Sequence, residues 1–198
     1  TFDKIGKNGV LIAEDANSFE TSMEHEDGMQ VDSGYKIEHF ITNPSNLTAT
    51  VNKARILVTD YRLNDALEIE ALMRNVLETN KERNFVVFAE EIEGTALATF
   101  IQNKVEGRMN ILAVKAPNYL PSNILQDIAI VTGANFVSKE AQTNLRTLTI
   151  DDLGYANHVT ANRISTLIVG GGGHETEITR RAESLKQQLE EDTTEFNK

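Results

Sequence analysis

Cysteine is absent from all 198 residues, so disulfides, thiolate metal sites and a cysteine nucleophile are excluded. Basic residues are scarce, with 19 Lys and Arg against 30 Asp and Glu and a formal net charge of -11. That balance argues against nucleic acid as a partner, because nothing would offset repulsion from a phosphate backbone. Long apolar runs are missing too. None approaches the ~20 residues needed to span a bilayer, and the N-terminus lacks the basic-then-apolar pattern of a signal segment, so no membrane partner is expected.

Signatures of chemistry are equally sparse. There is no GxSxG nucleophile elbow and no GxxxxGK[ST] phosphate loop. The histidines, His25, His39, His158 and His174, are scattered, and His174-Glu175-x-Glu177 lacks the spacing of a zinc helix. Glu90 and Glu91 read as acids at a helix start, where the helix dipole favours negative charge, more readily than as a catalytic pair. No catalytic or metal-binding residue is assigned.

What is present is a regular alternation centred on Phe85 to Gly107. Phe85 to Ala89 is an unbroken apolar run, as in a strand covered on both faces. Glu90, Glu91 and Glu93 then open a helix, Glu93 to Glu106, with Gly107 at its C-terminal cap. On a 100° wheel Leu97, Ala98, Ile101 and Val105 form one apolar face, while Ala96 and Phe100 fall nearly opposite. One face can pack on a sheet. The other needs a further layer or an external occupant.

The rest of the chain follows the same alternation. Residues 1 to 30 form an acidic lead-in, with a strand at Gly9 to Ala13 and a candidate hinge at Gly28. Strands are expected at Arg55 to Thr59, Met109 to Lys115 and Asn135 to Ser138, and helices at Asn64 to Thr79 and from Ser122 or Asn123 to Thr132. A hairpin, Asn157 to Ala161 with Thr166 to Val169, precedes a helix from Glu175 to Glu191. The pattern predicts an α/β fold, mainly a parallel sheet flanked by helices, with an additional β-hairpin region and a C-terminal helix.

The helix Asn64 to Thr79 is also over-provided with apolar surface: Ile69, Leu72 and Val76 make a stripe that Ala66, Met73 and Leu77 widen. With right-handed crossovers the two helices lie side by side and border a common groove, which suits peptide segments. Alternatively, the helix Glu175 to Glu191 covers it. The run Gly170 to Gly173, between a strand and a helix, leaves open a phosphate-ligand-binding α/β enzyme.

Seven stretches, GKNGVLIAED, EDGMQVDSGY, FAEEIEGTALATFIQNK, AVKAP, LQDIAIVTGANFVSKE, TIDDLG and LKQQLEE, together resemble the apical domain of group I chaperonins, the GroEL and mitochondrial Hsp60 family. They follow the family's order over nearly the whole chain. The resemblance implies that residues 1–27 are an intermediate-domain segment, that Gly28 is a hinge, and that 28–198 is a polypeptide-binding apical domain ending before a second hinge. The chain would then be a piece of a longer polypeptide, as its ends TFDKIG and EFNK also suggest.

Further implications concern the site and its partners. The resemblance implies that the two helices capture unfolded polypeptides and the mobile loop of a co-chaperonin of GroES/Hsp10 type, in a ring with other subunits. Binding positions carry over to Tyr35, Phe40, Leu97, Ile101 and Asn103. Others depart: Met73 and Glu70 stand for leucines, Gln102 for a valine and His39 for a tyrosine, and Asn118-Tyr119-Leu120 replace a glycine-rich continuation. ATP and Mg would belong to an equatorial domain of the full-length parent, leaving this piece without cofactor or catalysis. The expected location is the cytoplasm, or an organellar matrix or stroma. A degenerate domain serving only as scaffold is the remaining alternative.

Overall fold

The structure is a computed structural model describing residues 28–79 and 83–196. Residues 1–27 of the lead-in, with its expected strand, lie outside the described residues. In chain order the elements are β1 (Gly28–Val31), β2 (Ala49–Leu63), α1 (Glu70–Thr79), β3 (Asn84–Ile92), α2 (Gly94–Val105), β4 (Asn110–Lys115), α3 (Pro121–Thr132), β5 (Gly154–Ala161), β6 (Thr166–Gly171) and α4 (Glu175–Phe196). The strands form one sheet in the order β1-β6-β5-β2-β3-β4.

The α/β architecture agrees with the sequence pattern, but the sheet is mixed. Only β2–β3 and β3–β4 are parallel; the β2–β5, β5–β6 and β6–β1 pairs are antiparallel. The hairpin is therefore no appendage. It pairs with the free edge of β2 and extends the sheet, which removes an exposed edge. This explains why β2 is 15 residues long where only Arg55 to Thr59 was legible. Its first part, Ala49 to Ile56, pairs with β5, and the part from Arg55 on pairs with β3.

Phe85 to Ala89 are all fully buried, so both sides of β3 are covered. α2 packs over β4 and β2, and α3 packs over β2, β3, β5 and β1. α4 runs along α3, tied by Arg181 Nε to Asp127 Oδ1 at 2.6 Å, so it packs on α3 rather than across α1 and α2.

Helix boundaries differ from the pattern where local side chains intervene. Asp65 accepts a hydrogen bond from the Leu67 N–H at 3.0 Å and starts a 3₁₀ turn, Ala66–Glu68, so α1 begins at Glu70 instead of Asn64. Glu90 and Glu91 belong to β3, and Glu93 is the residue before α2. Gly94 has φ 59, and a Cβ there would sit 2.6 Å from the Asn64 carbonyl oxygen, so glycine is what permits this strand-to-helix corner. Gly107, with φ 65, follows α2 as a cap. Leu120, at φ 46, occupies the position before α3, with Pro121 opening the helix in place of a Ser122 or Asn123 cap. Asn135 to Ser138 is not a strand: it makes one parallel bridge, Thr59 to Val137.

Candidate functional site

α2 divides into two faces. Ala96 and Phe100 are fully buried. Leu97 and Ile101 are half-buried against the core, Ala98 is exposed, and Val105 is 70% exposed. The larger apolar stripe of this helix therefore points away from the sheet. α1 is the reverse, with Leu72, Met73 and Val76 all buried, as is Ile69 just before it, and Leu77 half-buried. Its outer face carries Glu70 and Arg74, paired at 2.7 Å. The 3₁₀ turn Ala66–Glu68 touches both helices, and the Ala66 N–H donates to Thr95 Oγ1 at 3.0 Å. That turn presents Leu67, 60% exposed. The accessible apolar surface thus runs along α2 and the adjoining turn more than between two equal helices.

The positions carried over by resemblance separate into three groups. Tyr35, Phe40 and Met73 are buried. Leu97, Ile101 and Asn103 are half-buried, and Asn103 Nδ2 donates to the Thr99 carbonyl at 2.8 Å. His39, Glu70 and Gln102 are exposed, with Gln102 Nε2 donating to Glu106 Oε1 at 3.0 Å. Gly28 begins β1, opposite Val169.

A segment passing Tyr35 to Phe40 joins these groups. Tyr35 bridges Val114 of β4, and a 3₁₀ turn at Glu38–Phe40 lies against α2 and β4. The Tyr35 hydroxyl is buried without a hydrogen-bond partner. The Arg163 guanidinium lies close to it and pairs with Glu38, and the Tyr35 hydroxyl and Glu38 carboxylate together raise the Arg163 pKa. Lys36 pairs with Glu91, whose second oxygen lies 3.1 Å from Lys115 Nζ. Partial burial pushes the Glu91 carboxyl up, but hydrogen bonds from Lys36, the Ile92 N–H and Lys115, with the Lys36 charge, outweigh it and lower its pKa to about 2. Sequence reasoning missed this cluster because Glu91 read as a helix-start acid. It missed Leu67 because Asn64 to Thr79 read as one helix.

Other candidate sites carry less. The N–H groups of Gly172 and Gly173 already donate to the carbonyls of Tyr155 and Val131, at 2.8 and 3.0 Å. A Cβ on Gly171 or Gly173 would meet the Val131 or Ile130 carbonyl oxygen at 2.2 or 2.0 Å. The glycines thus allow the end of β6 to approach α3, and the carbonyls crowding them suit no anion. An open cleft of about 320 Å³, of mixed polar and apolar lining, is formed by Tyr61, Glu68, Lys139, Gln142, Leu145 and Arg146, among others. Among the described residues no three His, Asp or Glu side chains converge as a metal site, and no helix is long and apolar enough to cross a membrane.

The mixed six-stranded sheet flanked by four helices is the architecture of a chaperonin apical-like domain. No family model matches the chain. It is 35% identical over 198 residues, 99% of its length, to a protein described as "Chaperonin GroEL" from Carsonella ruddii (strain PV). The chain spans 37% of that relative's length. The chain is a chaperonin domain of the GroEL/Hsp60 family.

Proposed function

We propose that this domain assists protein folding by holding non-native polypeptide, and the mobile loop of a GroES/Hsp10-type co-chaperonin, on the outward apolar face of α2 and the Ala66–Glu68 turn. Residues 28–198 are the apical domain and 1–27 an intermediate-domain segment hinged at Gly28. The domain works without chemistry of its own, in a ring of subunits that bind ATP and Mg through an equatorial domain, in the cytoplasm or an organellar matrix or stroma. The observation that carries the reading is the row Leu97, Ala98, Ile101 and Val105, which the sheet does not bury.

A single such face is weak. Each apolar side chain a ligand fully covers contributes roughly 1.5–3 kcal/mol, and exposed Glu70 and Gln102 contribute no such term. Several copies around one opening raise avidity by ~10² to 10⁴. The test is capture of a denatured polypeptide by the wild-type chain and by Leu97→Ser with Ile101→Ser. A loss of about tenfold or more in affinity is expected. Unchanged capture by a folded double variant would remove α2 from the account.

A further inference from the structure

Strand order reverses at β2: the chain runs outward from it through β3 to β4, then returns to place β5 on its other side. β5 stops pairing with β2 at Ile56. Beyond that point Val137 takes the vacated edge, bridging Thr59 in parallel, with its N–H donating to the Val58 carbonyl at 3.0 Å. Two parallel segments thus end side by side, and their outgoing chains separate, one leading through the Ala66–Glu68 turn and α1 to β3, the other through residues 138–153 to β5. In α/β sheets the crevice outside the carboxyl ends of strands, at such a reversal, is where small ligands bind. Here that crevice is the cleft of about 320 Å³, a volume within the range of ligand pockets.

Local hydrogen bonds shape its walls. Asp60 accepts from the Lys139 N–H at 2.7 Å and from the Ser138 hydroxyl at 3.2 Å, and Asn144 Oδ1 accepts from the Arg146 N–H at 3.0 Å. Half-buried Tyr61 and buried Leu145 supply apolar surface. The charges divide between the walls, with Glu68 on the turn after β2 and Lys139 and Arg146 on the loop after Val137. Lys139 is already engaged by Glu90. Glu68 is half-buried, and among the described residues neither its carboxylate nor the Arg146 guanidinium has a hydrogen-bond or ion-pair partner. One charge of each sign is left to line the cleft.

We propose that this cleft binds a short zwitterion of the amino-acid or dipeptide class, its ammonium on Glu68, its carboxylate on Arg146 and its side chain against Tyr61. A simple anion or cation would satisfy one wall and leave the opposite charge unmet. A zwitterion satisfies both through charge-assisted hydrogen bonds. The site is separate from the apolar face of α2 and does not rest on the function proposed for that face.

The test titrates the wild-type chain with L-leucine and with L-alanyl-L-leucine, followed by amide chemical shifts in NMR spectra. At least one probe should move the Tyr61, Glu68 and Arg146 amides saturably, with a dissociation constant of about 1 mM, and leave those of Leu97 and Ile101 in place. The N-acetylated and C-amidated forms of the same probe, each lacking one charge, should bind about tenfold more weakly. Glu68→Gln should remove the preference over the acetylated form, and Arg146→Gln the preference over the amide. Unchanged shifts along the β3–β4 ladder would show that both variants fold. The proposal is overturned if neither probe gives a saturable shift, if the blocked forms bind as well as the free ones, if the shifts fall on α2 instead, or if the folded variants keep both preferences. No polypeptide client takes part, so failure here is separable from failure of the Leu97 and Ile101 experiment.

Discussion

Lys36 and Glu91, 55 residues apart in the chain, meet in an ion pair that fastens the segment after β1 to the end of β3. Lys115, at the end of β4, approaches the same carboxylate. The segment after β1 and the end of β4 are thereby both tied to one partly buried acid on β3.

That junction gives acid stability a defined window. The Glu91 pKa is about 2 in the folded chain against a reference of 4.5, so the unfolded chain binds the proton more readily. The stabilisation is complete above pH 4.5 and is lost as pH falls through 2. Thermal melts across this window should show a steeper fall in Tm for the wild type than for Glu91→Gln, which has nothing to titrate at that position. Superimposable profiles would mean that the ion pair does not persist in solution.

The two faces of α2 predict opposite responses to truncation. Phe100→Ala empties a fully buried site and should cost about 3–5 kcal/mol. Val105→Ser acts on a residue 70% exposed and should stay within about 0.5 kcal/mol. Urea denaturation midpoints measure both. A Val105 loss comparable to that at Phe100 would show the outer face to be packed against something in the isolated chain.

The glycine run makes a third prediction. Gly173→Ala places a methyl carbon 2.0 Å from the Ile130 carbonyl oxygen, so backbone must move, at a cost of about 1–3 kcal/mol. Inorganic phosphate should leave the melting temperature of the wild type unchanged. A phosphate-dependent rise that Gly173→Ala abolishes would restore the phosphate-site reading.

Legibility in the sequence followed the range of the interactions. The run Phe85 to Ala89 and the opposed pairs Ala96/Phe100 and Leu97/Ile101 could be read because each reflects burial within one element. The Asn64 to Thr79 helix was read too long, because Asp65 caps its own short turn and competes with helix continuation. The resemblance placed Tyr35, Phe40 and Met73 in a binding surface; Tyr35 and Phe40 are buried where one turn folds back on α2 and β4, and Met73 where α1 meets the 3₁₀ turns around it, which no local pattern encodes.

By itself, then, the sequence determined the alternation of strands and helices, the excess of apolar surface on α2 and the kinship with chaperonins, since periodicity and word order survive without coordinates. Tertiary structure alone decided that the hairpin joins the sheet antiparallel to β2, that Glu91 bridges Lys36 and Lys115, and that the outward face of α2 is the one left uncovered. Those outcomes depend on which distant segments share an edge or a charge, and pairing across 55 or more residues leaves no trace in the spacing along the chain.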